Sequence, residues 1–176
     1  MALNCKITKG VADSCQPNVS GVLRMAVVNW DESYTFSQSS GAADCVIDTI
    51  DLGSEKAKNF AIMDGTGNAT STGTIGANGD SRYHQHAVTG SLAHLDCDLL
   101  GEYNKYFLGR VIIFVETKNR DVYAFGVDNG LTAETWTYDT GTAEGDANGV
   151  SFVFSGAQPN APLKIDSWAT VKALIA

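Results

Sequence analysis

The 176-residue chain is 44% hydrophobic and 18% charged, with 18 Gly, 3 Pro and 4 Cys. That length suits one domain, two at most, and buries enough surface that a core needs neither metal nor disulfide. Glycine above its usual ~7% with scarce proline excludes collagen-like and Pro-rich disordered chains, and a formal charge of −8 argues against a nucleic-acid binder held by phosphate contacts.

Strand signals dominate from the start. Gly21–Trp30 is β-branched and apolar, and Asp31-Glu32-Ser33 ends it as a turn. Cys45–Leu52 reads as one strand, alternating at its end, with Ile50 and Leu52 on one side and Thr49 and Asp51 on the other. Lys58–Met63 is the next. From Asp64 to Asp80 the chain is Gly, Thr, Ser, Asn and Ala with one large apolar residue, Ile75. Such a segment buries too little to offset its own ordering entropy. The expectation is a projecting loop or hairpin over 64–80 that orders against a neighbour.

Ser81–Ala93 resumes the strand pattern. Asp96 then reads as an N-cap, with Leu99, Leu100, Tyr103 and Phe107 as an apolar stripe and Gly109 as the stop. That helix is expected to cover one face of a sheet, with Gly101 costing roughly 1 kcal/mol relative to Ala. Arg110–Glu116 is a nearly continuous apolar run, the mark of a strand buried on both faces. Lys118–Asp121 turns it into Val122–Gly126 as a hairpin. Asp128-Asn129-Gly130 turns again. Leu131–Tyr138 alternates Leu, Ala, Thr and Thr against Thr, Glu, Trp and Tyr, which places the large rings on one face. A turn over Gly145–Gly149 leads to the clean alternation of Val150–Ser155. Pro159 and Pro162 mark a loop, and Asp166 caps a short terminal helix running to Ala176. Eight or more short strands with hairpin links and a covering helix predict a single mainly β domain over 1–176: an antiparallel β-sandwich or open barrel with one flanking α-helix and a short C-terminal helix.

The chain lacks the run of roughly 18 apolar residues that a membrane-spanning helix needs. Its start, Met1 to Lys6, shows no basic region followed by an apolar stretch, so no export signal is expected. Cys5, Cys15, Cys45 and Cys97 follow no Cys-x-x-Cys spacing and read as reduced packing thiols.

Candidate chemistry is sparse. His84 and His86 share a strand face, and His94 and Cys97 follow; together they could bind zinc, but without a matched second ligand pair they read as solvent-facing strand positions, so no metal is expected. Asp128-Asn129-Gly130 and Asp146-Ala147-Asn148-Gly149 hint at calcium, yet Asp139 stands where an EF-hand loop from Asp128 closes with Glu, and turn chemistry explains both. Gly65-Thr66-Gly67 and Gly73-Thr74-Ile75-Gly76 lack the ending of a phosphate-binding loop. Asp44/Asp48 and Asp96/Asp98 are ordinary for an acidic chain. No nucleophile, base and oxyanion donor assemble, so neither an enzyme nor a cofactor is expected. Trp136 and Tyr138, with Tyr103 and Tyr106, suit either a sugar-binding face or core packing plus a subunit seam, and the seam is favoured.

From Cys97 onwards the order of features resembles a known family. A short helix ending Tyr106-Phe107-Leu108-Gly109-Arg110 leads into Val111–Glu116, then Val122–Leu131. Tyr138–Val150, with its Gly145-Asp146-Ala147-Asn148-Gly149, leads into Ser151–Gly156. Gly10, Asp13-Ser14-Cys15 and the strand from Gly21 to Trp30 resemble its opening. These features are similar to the tail tube and tail ring proteins of tailed bacteriophages, especially the crAss-like phages and others infecting the same group of gut and marine bacteria. The resemblance covers most of the chain. It implies a virion structural protein, made in the host cytoplasm and resident in the tail. Copies would join edge to edge in rings, contacting neighbouring tail or connector proteins, around a channel that DNA passes without specific binding, and no membrane is involved. Asp128, Glu134, Asp139, Glu144 and Asp146 are candidates for an acidic channel lining that repels polyphosphate. The alternatives are a head-to-tail connector, a capsid decoration protein, or a carbohydrate-binding β-sandwich module.

Overall fold

The computed structural model describes residues 18–38, 46–76, 79, 81–93, 97–142 and 148–176, with 97–100, 103 and 107 described through their backbone alone. Among the described residues twelve strands and two helices follow in chain order. They are β1 (Val22–Asn29), β2 (Thr35–Ser37), β3 (Val46–Ile47), β4 (Thr49–Asp51), β5 (Lys58–Phe60), β6 (Asn68–Ile75), β7 (Arg82–Ala93), α1 (Cys97–Leu108), β8 (Val111–Thr117), β9 (Val122–Phe125), β10 (Thr132–Asp139), β11 (Gly149–Gln158), β12 (Leu163–Ile165) and α2 (Trp168–Lys172).

They form a six-stranded sheet in the order β3-β12-β9-β8-β1-β5, a four-stranded sheet β10-β11-β7-β6, and the small pair β2-β4. The protein is mainly β, and none of the described sheets closes into a barrel.

The continuous apolar runs of β1 and β8 have a direct cause, since both strands are buried on both faces. Met25, Val27, Ile113 and Val115 face Val88, Leu92, Phe152 and Phe154 of the four-stranded sheet, forming the core between the sheets. Ala26, Val28, Ile112 and Phe114 point the other way, where Trp168 and Val171 of α2 cover them. Phe36 and Ile50, from the small β2-β4 pair, pack on that second cluster as well. α1 lies beside β10, and its Tyr106 stacks edge-on against Phe60 at 5.2 Å between centroids.

Several expectations change. The single strand over Cys45–Leu52 is two: β3 pairs with β12, and β4 pairs with β2 in a different sheet. Of the two forms expected over 64–80, the hairpin is the one present: Asn68–Ile75 is a strand whose eight residues all register against β7 of the same chain. β12, which follows Pro162, pairs with β9 and was not expected from sequence. The N-cap of α2 is Ser167 rather than Asp166. The predicted facing of β10 is broken by a register shift between Ala133 and Thr135. The extra residue reverses the alternation, so Leu131 and Ala133 face the core before it and Trp136 after it. The caps at Asp96 and the thiols of Cys5, Cys15, Cys45 and Cys97 lie outside the described residues or side chains.

Candidate functional site

Strand length separates the edges of the two sheets. The six-stranded sheet ends in β5 and β3, with three and two residues. The four-stranded sheet ends in β6 and β10, with eight residues each. Among the described residues no strand pairs with the outer edge of either. β10 carries its bulge and Glu134. β6, Asn-Ala-Thr-Ser-Thr-Gly-Thr-Ile, has no charge, proline or register break. A long, flat, uncharged edge presents a row of unpaired backbone donors and acceptors, a template for another strand.

The middle of the face of this sheet turned away from the core is neutral, with Asp139 at its end. Across the strands, Thr70, Ala87, Ser155 and Thr132 form one row, and Asn68, Thr89, Val153 and Thr135 the next. Ser91, Ser151 and Thr137 form a third, with Thr66 Oγ1 accepting from Ser91 N at 3.1 Å. No charged side chain stands in these rows, in a chain of net charge −8. Of the acidic residues considered for a channel lining, Glu134 sits at the bulge, Asp139 ends β10 and Asp128 lies in the β9–β10 turn. Glu144 and Asp146 lie outside the described residues.

Beneath β6, on its core side, is a cleft of about 240 Å³ between the two sheets. Val22, Ala69, Val115, Phe125 and Pro162 make it mostly apolar, with Asn68, Ser71, Thr117 and Tyr123 supplying polar groups. Ala69 and Ser71 are small, so β6 leaves the space open instead of filling it. The Thr117 hydroxyl is buried with no partner among the described residues. At the Gly21 end lies the stem of Lys118, whose ammonium pairs with Asp64 at 2.8 Å.

The histidines depart from expectation. His84 and His86 do share a face, with rings 6.5 Å apart, but that face is the core side, and His86 is only 2% exposed. Its Nδ1 accepts from Gly126 N at 3.3 Å, which assigns the proton of the neutral ring to Nε2. Nε2 is buried without a partner in hydrogen-bonding geometry among the described residues. Burial, then the neighbouring His84, push the His86 pKa below its ordinary value, only partly offset by the Asn160 backbone and Asp128. His94 lies outside the described residues, as does the Cys97 side chain. Among the described residues no three His, Cys, Asp or Glu side chains gather as a metal site.

A pH dependence follows. A folded-state pKa below the unfolded one means that the unfolded chain binds the proton better. The stability contributed by neutral His86 is therefore complete above the unfolded value near 6.5 and is lost as pH falls through the folded value. Chemical denaturation from pH 7.5 to 5 should show a falling midpoint, with a shallower fall in His86→Leu.

Trp136 packs against the core, whereas Tyr138 is 51% exposed. Tyr103 lies outside the described side chains. Sequence alone does not single out β6 as the edge strand or reveal its cleft, although one signal of the strand is present: Thr70, Thr72 and Thr74 alternate at the strand period of two. No protein family model, curated protein or solved structure matches this chain.

Proposed function

We propose that this chain is a structural subunit that joins copies of itself edge to edge into a ring or tube around a channel, as in the tail tube or tail ring of a tailed bacteriophage. The observation that carries this reading is the pair of long edges on the four-stranded sheet that no strand among the described residues covers, β6 and β10, the latter with α1 beside it. All of its pairings are antiparallel, and with four strands β6 and β10 run in opposite directions. A copy placed beside the first can therefore lay its β10 along β6 and continue the antiparallel order. The contact is heterologous, and repeated rotation closes it into a ring that leaves no edge exposed. The six-stranded sheet has no comparable edges to offer.

In such a ring the Thr/Ser face is suited to a wall that does not hold nucleic acid, since it carries no cations to neutralise phosphates. A ring of this kind needs no cofactor or catalytic group, and its partners are identical subunits and neighbouring tail or connector proteins. A head-to-tail connector would use the same edges with a fixed, smaller number of copies. The sugar-binding alternative is weakened because Trp136 faces the core.

The test is assembly. The native chain should sediment as a large oligomer at high concentration and give annular particles with a central hole in electron micrographs. Thr70→Lys with Thr72→Lys, which charges the β6 edge, should leave a folded monomer with unchanged circular dichroism. A native chain that stays monomeric at high concentration would overturn the reading.

A further inference from the structure

We infer that Tyr138 of one copy plugs the cleft beneath β6 of the next, an inference that rests on the edge-to-edge reading above. The two features are unexplained in the isolated chain, and they lie at opposite edges of one sheet. Tyr138 is the penultimate residue of β10 and half exposed, at 51%. It is two residues beyond Trp136 with no further register break, so it points to the core side of the sheet. At the other edge, the core side of β6 presents Ala69 and Ser71 over an apolar cleft that no side chain of the described residues fills. A strand laid along β6 drops its core-side residues onto these two small ones. An aromatic ring with a polar tip is the side chain best suited to a mostly apolar slot with a few polar groups.

The register is specific. Within one copy, Ala69 lies level with Val88, Phe154 and Ala133. Tyr138 is two core-facing steps further along β10 than Ala133, through Trp136. Seating it opposite Ala69 therefore staggers neighbouring copies by about four residues over four strands, or about one per strand. Closed sheets need such a stagger, and eight strands with a shear of eight have the same ratio. With antiparallel pairing, Asp139 then falls opposite Asn68, at the end of the cleft bordered by Gly21 and the Lys118 stem. The phenol hydroxyl also gains a partner for the buried Thr117 hydroxyl, which has none among the described residues.

The experiment compares sedimentation of the full native chain with Tyr138→Ala, Tyr138→Phe and Ala69→Trp, each checked for native circular dichroism. Tyr138→Ala should raise the concentration for half-assembly at least about tenfold, as loss of an interface anchor does. Tyr138→Phe should keep assembly within about threefold, because the ring fills the cleft and only one hydrogen bond of modest net worth is lost. Ala69→Trp, which fills the hole from its own chain, should block assembly as Tyr138→Ala does. If the native chain assembles and Tyr138→Ala assembles equally well, the plug is wrong while edge pairing stands. If the native chain never assembles, both fall.

Discussion

Phe152→Ala should destabilise the protein by about 3–5 kcal/mol, the range for truncating a fully buried phenylalanine. Phe152 is 2% exposed and sits where the aromatic contacts of the core converge, 5.9 Å from the Phe60 ring and 5.5 Å from Phe154. The opposite strand is shaped around it. A Cβ on Gly90 would come within 2.9 Å of Phe152 Cζ and 3.3 Å of Ile62, so β7 makes room for the ring by having no side chain there. That tight fit places the cost towards the upper end, because a backbone on one side and packed rings on the other limit collapse into the cavity. Against a typical total of 5–15 kcal/mol, the variant should lose a large part of its stability. Thermal unfolding should drop by roughly 6–20 °C at about 2–4 °C per kcal/mol for a chain this size. A drop under about 3 °C would mean that the two sheets do not share a core at this point.

The same core shows why part of the fold could be read from sequence. Val111–Val115 and Ala26–Val28 are unbroken apolar runs because each strand packs on both faces, and only double burial keeps polar residues out of both registers. Val150–Phe154 alternates because the other face of β11 is exposed to solvent. Where segments draw their order from elsewhere, local pattern failed. β6 has almost nothing to bury, and its strand exists through eight paired residues of β7 in the hairpin that follows it, so its order comes from a partner strand and not from its own pattern. β12 is three residues long and pairs with β9 some forty positions earlier. The register shift in β10 inserts one residue after Ala133, and a single insertion exchanges the faces of everything that follows. Composition gave no warning of it.

The candidate site was less legible for a similar reason. An edge is a property of strand order, and here strand order is set by the pairing of β7 with β11, which lie far apart in sequence. The sequence around His84 and His86 does not show which face of the strand is inward. Yet β7 alternates with its even-numbered residues inward, so His86 shares the face of Val88 and Leu92. The burial of an imidazole depended on which parity faced the core.

Gly126→Ala should cost about 2–5 kcal/mol, far more than its one added methyl suggests. Gly126 follows β9 directly with φ of +79°, and holding an L-residue in left-handed backbone costs roughly 1–2 kcal/mol. Its new Cβ would also stand 2.6 Å from Leu131 Cγ and 3.1 Å from Leu131 N, an overpacking term of about 1–3 kcal/mol. Leu131 cannot easily give way: it is fully buried and pairs by backbone with Val111 in both directions. The turn itself is clamped by Gln158, whose Oε1 accepts from Asn129 N and whose Nε2 donates to Gly130 O, both at 2.8 Å. Gly126 N donates to His86 and Gly126 O accepts from Gly130 N at 2.9 Å, so strain at this residue reaches three strands. The turn carries the chain from the six-stranded sheet into β10, one of the two free edges. Loosening it should therefore weaken self-association as well as folding. Gly53→Ala is the matched control: φ is +60° there too, but nothing lies within 4 Å of the added Cβ. Only the backbone penalty of about 1–2 kcal/mol should remain. Equal losses in the two variants, measured by chemical denaturation, would show that the contact with Leu131 contributes nothing.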